Sequence, residues 1–122
     1  MDISITVPQK EADIWRRENS EAIKKNMDLY FKVPFIPKNS NPGDKCFVII
    51  NNRIEGYHII KGFDRRSELE CEITGREWGP GNYIVRKAKT WKEISQHLYI
   101  PAKPHRGFRY VDVRIPIRII RM

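Results

Sequence analysis

Apolar and polar positions alternate with a period of two at the start of the chain, where Ser4 and Thr6 separate Ile3, Ile5 and Val7. Alternation of that kind puts successive side chains on opposite faces and predicts a strand over residues 1–7. After Pro8 the period lengthens. Ala12, Trp15, Ala22, Ile23 and Met27 recur on one helical stripe, while Lys10, Asp13, Arg16, Arg17, Glu21 and Lys24 fall largely elsewhere. An amphipathic helix is predicted over residues 9–26, with Pro8 tolerated in its first turn and Asn26 as its stop. Residues 28–33 read as a second strand. Pro34, Pro37 and Pro42, with Asn39, Ser40, Asn41 and Gly43 among them, then forbid regular structure through Asp44.

Residues 45–50 and 53–61 are predicted strands joined at Asn51-Asn52, a pair that tolerates the positive φ of a tight hairpin turn. A polar turn is expected over 62–67, a strand over 69–74, a loop over 75–81 and a strand over 82–87. Thr90-Trp91-Lys92-Glu93 has the spacing of a capping box, which predicts a short helix over 91–98. Pro101 and Pro104 bound an expected exposed loop. From 110 to 119, Val111, Val113, Ile115, Ile117 and Ile119 alternate with polar residues, as in a half-buried strand, and Pro116 marks an edge or a bulge. These elements predict a single α+β domain over 1–122: a small, mostly antiparallel β-barrel with one long N-terminal helix and one short helix.

A chain of 122 residues has room for one core and one site. Its 23 Lys and Arg outnumber 15 Asp and Glu, for a net charge of +8. Such an excess bears on partners, not on fold, and polyanions are the natural ones. Charge is unevenly spread: residues 103–122 carry six Lys or Arg and one acid, Asp112. No apolar run is long enough to span a membrane and no signal pattern opens the chain, so neither membrane insertion nor export is expected. Cys46 and Cys71 lie in apparent strands and read as buried, reduced thiols of a cytoplasmic protein. His97 and His105 have no companion ligand at metal-binding spacing, and neither a metal nor a cofactor is expected.

Pro42-Gly43-Asp44-Lys45-Cys46-Phe47-Val48-Ile49-Ile50, followed by Arg53-Ile54-Glu55-Gly56-Tyr57-His58-Ile59-Ile60, resembles the central hairpin of PUA-like domains, and within them the ASCH and EVE groups. In this pattern Gly43-Asp44 turns into the strand, and Gly56 lets the wall bend or another backbone approach. The resemblance implies a barrel over nearly the whole chain and a cleft between barrel and helix that binds RNA or a modified nucleobase. One ASCH branch holds amidohydrolases acting on acetylated cytidine, with a Lys-Thr pair after the helix and a Glu on a later strand. Lys25 matches that lysine but no threonine follows it, and Glu70 and Glu72 match the acid only loosely.

Two segments combine cations with rings, the pairing that holds phosphates and stacks unpaired bases. One contains Lys103, Arg106, Phe108, Arg109 and Tyr110; its bland alternative is that Phe108 and Tyr110 only begin the last strand. The other contains Arg76 and Trp78, followed by Arg86, Lys87 and Lys89; here Trp78 could simply cap the barrel. Trp15 belongs to the core, Trp91 to core or rim, and His58 reads as a satisfied interior residue. Lys32, between Phe31 and Val33, is either a paired cleft lysine or a snorkelling surface one. The expected function is a module that recognises RNA or a modified nucleobase. The alternatives are a small hydrolase using Lys25 or Lys32 with Glu70 or Glu72, and a basic protein-interaction domain.

Overall fold

In a computed structural model, which describes residues 1–66, 69–70, 77–94 and 99–114, the chain is α+β with one helix. Strand β1 (Ile3–Thr6) leads through a short 3-10 turn into α1 (Ala12–Lys25), followed by β2 (Asp28–Val33). Then come β3 (Lys45–Ile50), β4 (Arg53–Arg66), the two-residue β5 (Leu69–Glu70) and β6 (Glu77–Trp78), the long β7 (Gly81–Glu93), and β8 (Phe108–Tyr110). Six strands form one sheet in the order β2-β7-β4-β3-β1-β8, curled into a half-barrel; β5 and β6 pair separately. All its neighbours are antiparallel except β1 and β3.

Local chemistry explains most boundaries. α1 stops at Asn26, which takes the left-handed conformation (φ 54°), and the next N–H, of Met27, donates back to the Ala22 carbonyl. This is the C-terminal cap expected of Asn. Asn51 and Asn52 have φ of 55° and 62°, as a two-residue hairpin turn between β3 and β4 requires. Gly43, at φ 98°, turns the chain into β3, and Asp44 accepts the Asn41 N–H through its carboxylate.

Two expected elements give way to strand in the part of them that is described. The predicted turn at 62–67 is absent as far as Arg66, because β4 continues and pairs Gly62 to Arg66 with Val85 to Gly81 of β7. The predicted helix at 91–98 does not begin at Trp91: Trp91, Lys92 and Glu93 belong to β7, and 95–98 lie outside the described residues. Thr90 shows why its capping pattern misleads. Its hydroxyl accepts the Ile59 N–H across the β4–β7 ladder and donates to the Lys87 carbonyl. It thereby serves the backbone where the register slips between Tyr57 and Ile59. The expected strand at 69–74 is seen as Leu69–Glu70, with 71–74 outside the described residues. In the expected loop at 75–81, Glu77 and Trp78 form β6 and Gly81 opens β7, while 75 and 76 are outside that range. Of the strand expected at 110–119, Tyr110 ends β8, 111–114 run on without regular structure, and 115–119 are likewise outside.

The core has two sides. Cys46, Val48 and Ile50 of β3 face α1 with Ile3, Ile5, Trp15, Ile60 and Ile84. Phe47 and Ile49 face the other way, with Ile54, Tyr57 and Ile94, and are covered by Ile100, Ala102, Val111 and Val113. β3 is thus apolar from Cys46 onward because both its faces are buried there. The outermost strands also approach one another: Pro34, just past β2, touches Gly107, just before β8, and Phe35 meets Phe108 edge-on at 5.2 Å.

Candidate functional site

Spacing along α1 decides what faces the sheet. Trp15, Glu18, Asn19 and Ala22 follow the i, i+3, i+4, i+7 rule and are all buried. Arg16, Ser20 and Ile23 lie beside that stripe and form one wall of a groove of about 810 Å³ between α1 and the sheet. The opposite wall comes from Arg53, Glu55, Trp91, Glu93 and Ile94, with Ile50 and Asn51 at the hairpin end. Trp15 and Asn19 reach the groove from the buried stripe.

Trp15 and Trp91 meet edge to face at 5.5 Å, and His58 lies 6.2 Å from the first ring and 4.7 Å from the second. Gly56 makes this arrangement possible. A Cβ there would come within 2.5 Å of both the Lys92 carbonyl and the Trp91 ring, so a glycine is needed for Trp91 to lie against β4. Across the groove, Arg16 clamps α1 to β4 through paired bonds to Glu55: Nε to Oε2 at 3.1 Å and Nη2 to Oε1 at 2.7 Å. The Glu55 hydrogen bond, above all, raises the pKa of the Arg16 guanidinium. At the hairpin end, Arg53 stacks over the ring of the exposed Tyr99, 5.6 Å from its centroid.

Behind the rings lies a buried polar relay. His58 is 0% exposed, Arg86 1%, Glu18 3% and Asn19 6%. Arg86 Nη1 is 3.4 Å from His58 Nδ1, and His58 Nε2 is 2.8 Å from Asn19 Oδ1. A guanidinium only donates, so Nδ1 is the acceptor and the imidazole proton sits on Nε2, from which it is donated to Asn19. A neutral ring agrees with its surroundings: burial first, then the charge of Arg86, pushes the His58 pKa well below its usual value. Burial likewise lowers the Arg86 pKa, against Cys46 and Glu18, which favour the charged guanidinium. Among the described residues two buried donors have no hydrogen-bond partner, Trp15 Nε1 and Arg86 Nε.

The residues expected from sequence fall in different places. His58 and Trp15 are interior, as read. Arg86, expected among cations that contact phosphate, is instead buried in the relay and unavailable to a surface partner. Lys87 and Lys89 are exposed on β7, either side of buried Ala88. Lys103, Arg106 and Arg109 are exposed, while Phe108 and Tyr110 are half-buried against the inner core, so that segment divides into solvated cations and packed rings. Lys25 ends α1 in solvent; Lys32 is exposed on β2 with its stem over Gly81, as a snorkelling lysine would be. Glu70 and Trp78 are placed by backbone pairing alone, Leu69 with Trp78 and Glu70 with Glu77, and Glu72 and Arg76 lie outside the described residues. Among the described residues, none of those expected to bind nucleic acid lines the groove.

Sequence reasoning missed Glu18 and Asn19, although their offsets from Trp15 place them on the buried stripe. Nothing local distinguishes Arg86 from its exposed neighbours. Among the described residues no helix is long and apolar enough to cross a membrane. No family model, curated protein or solved structure matches the chain.

Proposed function

We propose that this protein is a nucleic-acid-binding module that takes an unpaired base of single-stranded RNA into the groove between α1 and the sheet. The observation that carries this reading is the groove itself: about 810 Å³, with Trp15 and Trp91 on facing elements and Arg16 and Arg53 beside them. Rings supply a stacking surface for a base, and the Arg53 guanidinium at the margin suits an adjoining phosphate, while Arg16 is engaged by Glu55. The +8 charge of the chain supplies a long-range field that draws a polyanion in. Exposed Lys87, Lys89, Lys103, Arg106 and Arg109 contribute to that field away from the base. The resemblance of the Gly43–Ile60 hairpin to PUA-like domains of the ASCH and EVE groups points to the same cleft.

The test is fluorescence anisotropy with labelled single-stranded RNA over a series of salt concentrations. Affinity should fall linearly with salt on logarithmic axes, because phosphate contacts release counterions. Trp91→Ala should weaken binding by about 1–3 kcal/mol, the usual contribution of one stacked base. Affinity independent of salt, or unchanged in a folded Trp91→Ala variant, would refute the reading.

A further inference from the structure

The buried relay limits what the groove can recognise. Arg86 donates to His58, and His58 donates to Asn19 Oδ1. The carbonyl end of the Asn19 amide is therefore held against His58 and keeps at most one lone pair, while both N–H donors of the side chain remain for the groove it lines. A second donor of the same wall, the buried Trp15 Nε1, has no partner among the described residues. The acceptors that line the same groove are Glu55, held by Arg16, and the exposed Ser20, Asn51 and Glu93, whereas Trp15 and Asn19 belong to its buried side.

We propose that Asn19 is the specificity-determining residue of the groove, locked by Arg86 and His58 into presenting donors, so that the site takes the carbonyl-oxygen edge of a base. Uracil, with two carbonyls and one ring N–H, is the base it suits best. Adenine has no carbonyl, and its ring acceptors N1 and N7 each flank an amino group that would meet donors. This inference rests on the groove being the nucleic-acid site.

Short oligouridylate and oligoadenylate, compared by anisotropy on the wild-type protein and on Asn19→Asp, provide the test. The introduced carboxylate would still accept from His58 Nε2 while turning an acceptor toward the groove. Wild type should prefer oligouridylate by roughly tenfold, within the range of discrimination by a well-placed pair of base contacts. A stacking surface without readout would show no such preference for the pyrimidine, since purines offer the larger face. Asn19→Asp should abolish or reverse the preference, and self-stacking of oligoadenylate cannot produce such a reversal. Should that variant not fold, Asn19→Ala should bring the ratio to about one. Equal binding of both oligomers by wild type, or a ratio unchanged in the folded Asn19 variant, overturns the relay while leaving the groove as a binding site. Binding of neither oligomer overturns the groove reading and this inference with it.

Discussion

Acid should destabilise this protein through His58. Its imidazole is fully buried between Arg86 and Asn19, with Trp15 and Trp91 against it, and both burial and the Arg86 charge keep it neutral. Because the folded-state pKa lies below that of the unfolded chain, about 6.5, protons bind preferentially to the unfolded state once the pH drops under that value. The stability carried by the neutral ring is complete above pH 6.5. It declines as pH falls toward the folded-state pKa, by up to about 1.4 kcal/mol per pH unit. Between pH 7 and 5 the loss approaches about 2 kcal/mol if the ring remains neutral throughout. Urea unfolding of wild type and His58→Gln over that range isolates the effect, since Gln cannot titrate. The variant should start less stable by about 1–3 kcal/mol, because the amide forfeits the ring contacts with Trp15 and Trp91. Its deficit should then shrink as the pH falls. Parallel profiles for the two proteins would refute a buried, neutral His58 and the direction of the relay with it.

Three other outcomes follow from the same packing. Arg86→Met should cost about 1–3 kcal/mol in denaturant melts, because the buried His58 Nδ1 would lose its donor; a folded variant of unchanged stability would show that Arg86 does not hold the ring. Gly56→Ala should cost roughly 1–3 kcal/mol and shift the near-ultraviolet circular dichroism of the tryptophans, because the added methyl would meet the Lys92 carbonyl and the Trp91 ring; an unaltered spectrum would show that Trp91 is not held there. The Cys46 thiol, pushed up to about 11 by burial, should resist iodoacetamide at pH 8 in the native protein and react on unfolding, as followed by mass spectrometry in a Cys71→Ser background.

The elements visible in sequence are those whose signal is local. The period of 3.6 over α1, the left-handed Asn26 cap and the Asn51-Asn52 hairpin each depend on a few adjacent residues. The misread elements depend on partners distant in the chain. Residues 62–66 look like a turn, yet β7 supplies the hydrogen bonds that hold them extended. Thr90 has a cap's chemistry, but its hydroxyl is used by Ile59 on a neighbouring strand. Much the same holds for the site. Trp15 and His58 were recognisable as interior because apolar residues flank them in a periodic pattern. Arg86 was not, because an arginine between Val85 and Lys87 reads as exposed until His58 and Glu18 are brought beneath it by the fold. The basic and aromatic segment at 103–110 was visible as composition, whereas the division of its cations from its rings follows from pairing of β8 with β1.

The indole N–H signals of the tryptophans give the most direct test of the central claim, that an unpaired base occupies the groove between α1 and the sheet. In a ¹⁵N-labelled sample titrated with oligouridylate, with Trp15→Phe and Trp91→Phe variants used for assignment, the Trp15 and Trp91 signals should move together and saturate with the anisotropy curve. Amide shifts confined to residues 103–110, with both of those indole signals unmoved at saturation, would contradict the account and place the nucleic acid on the exposed cations instead.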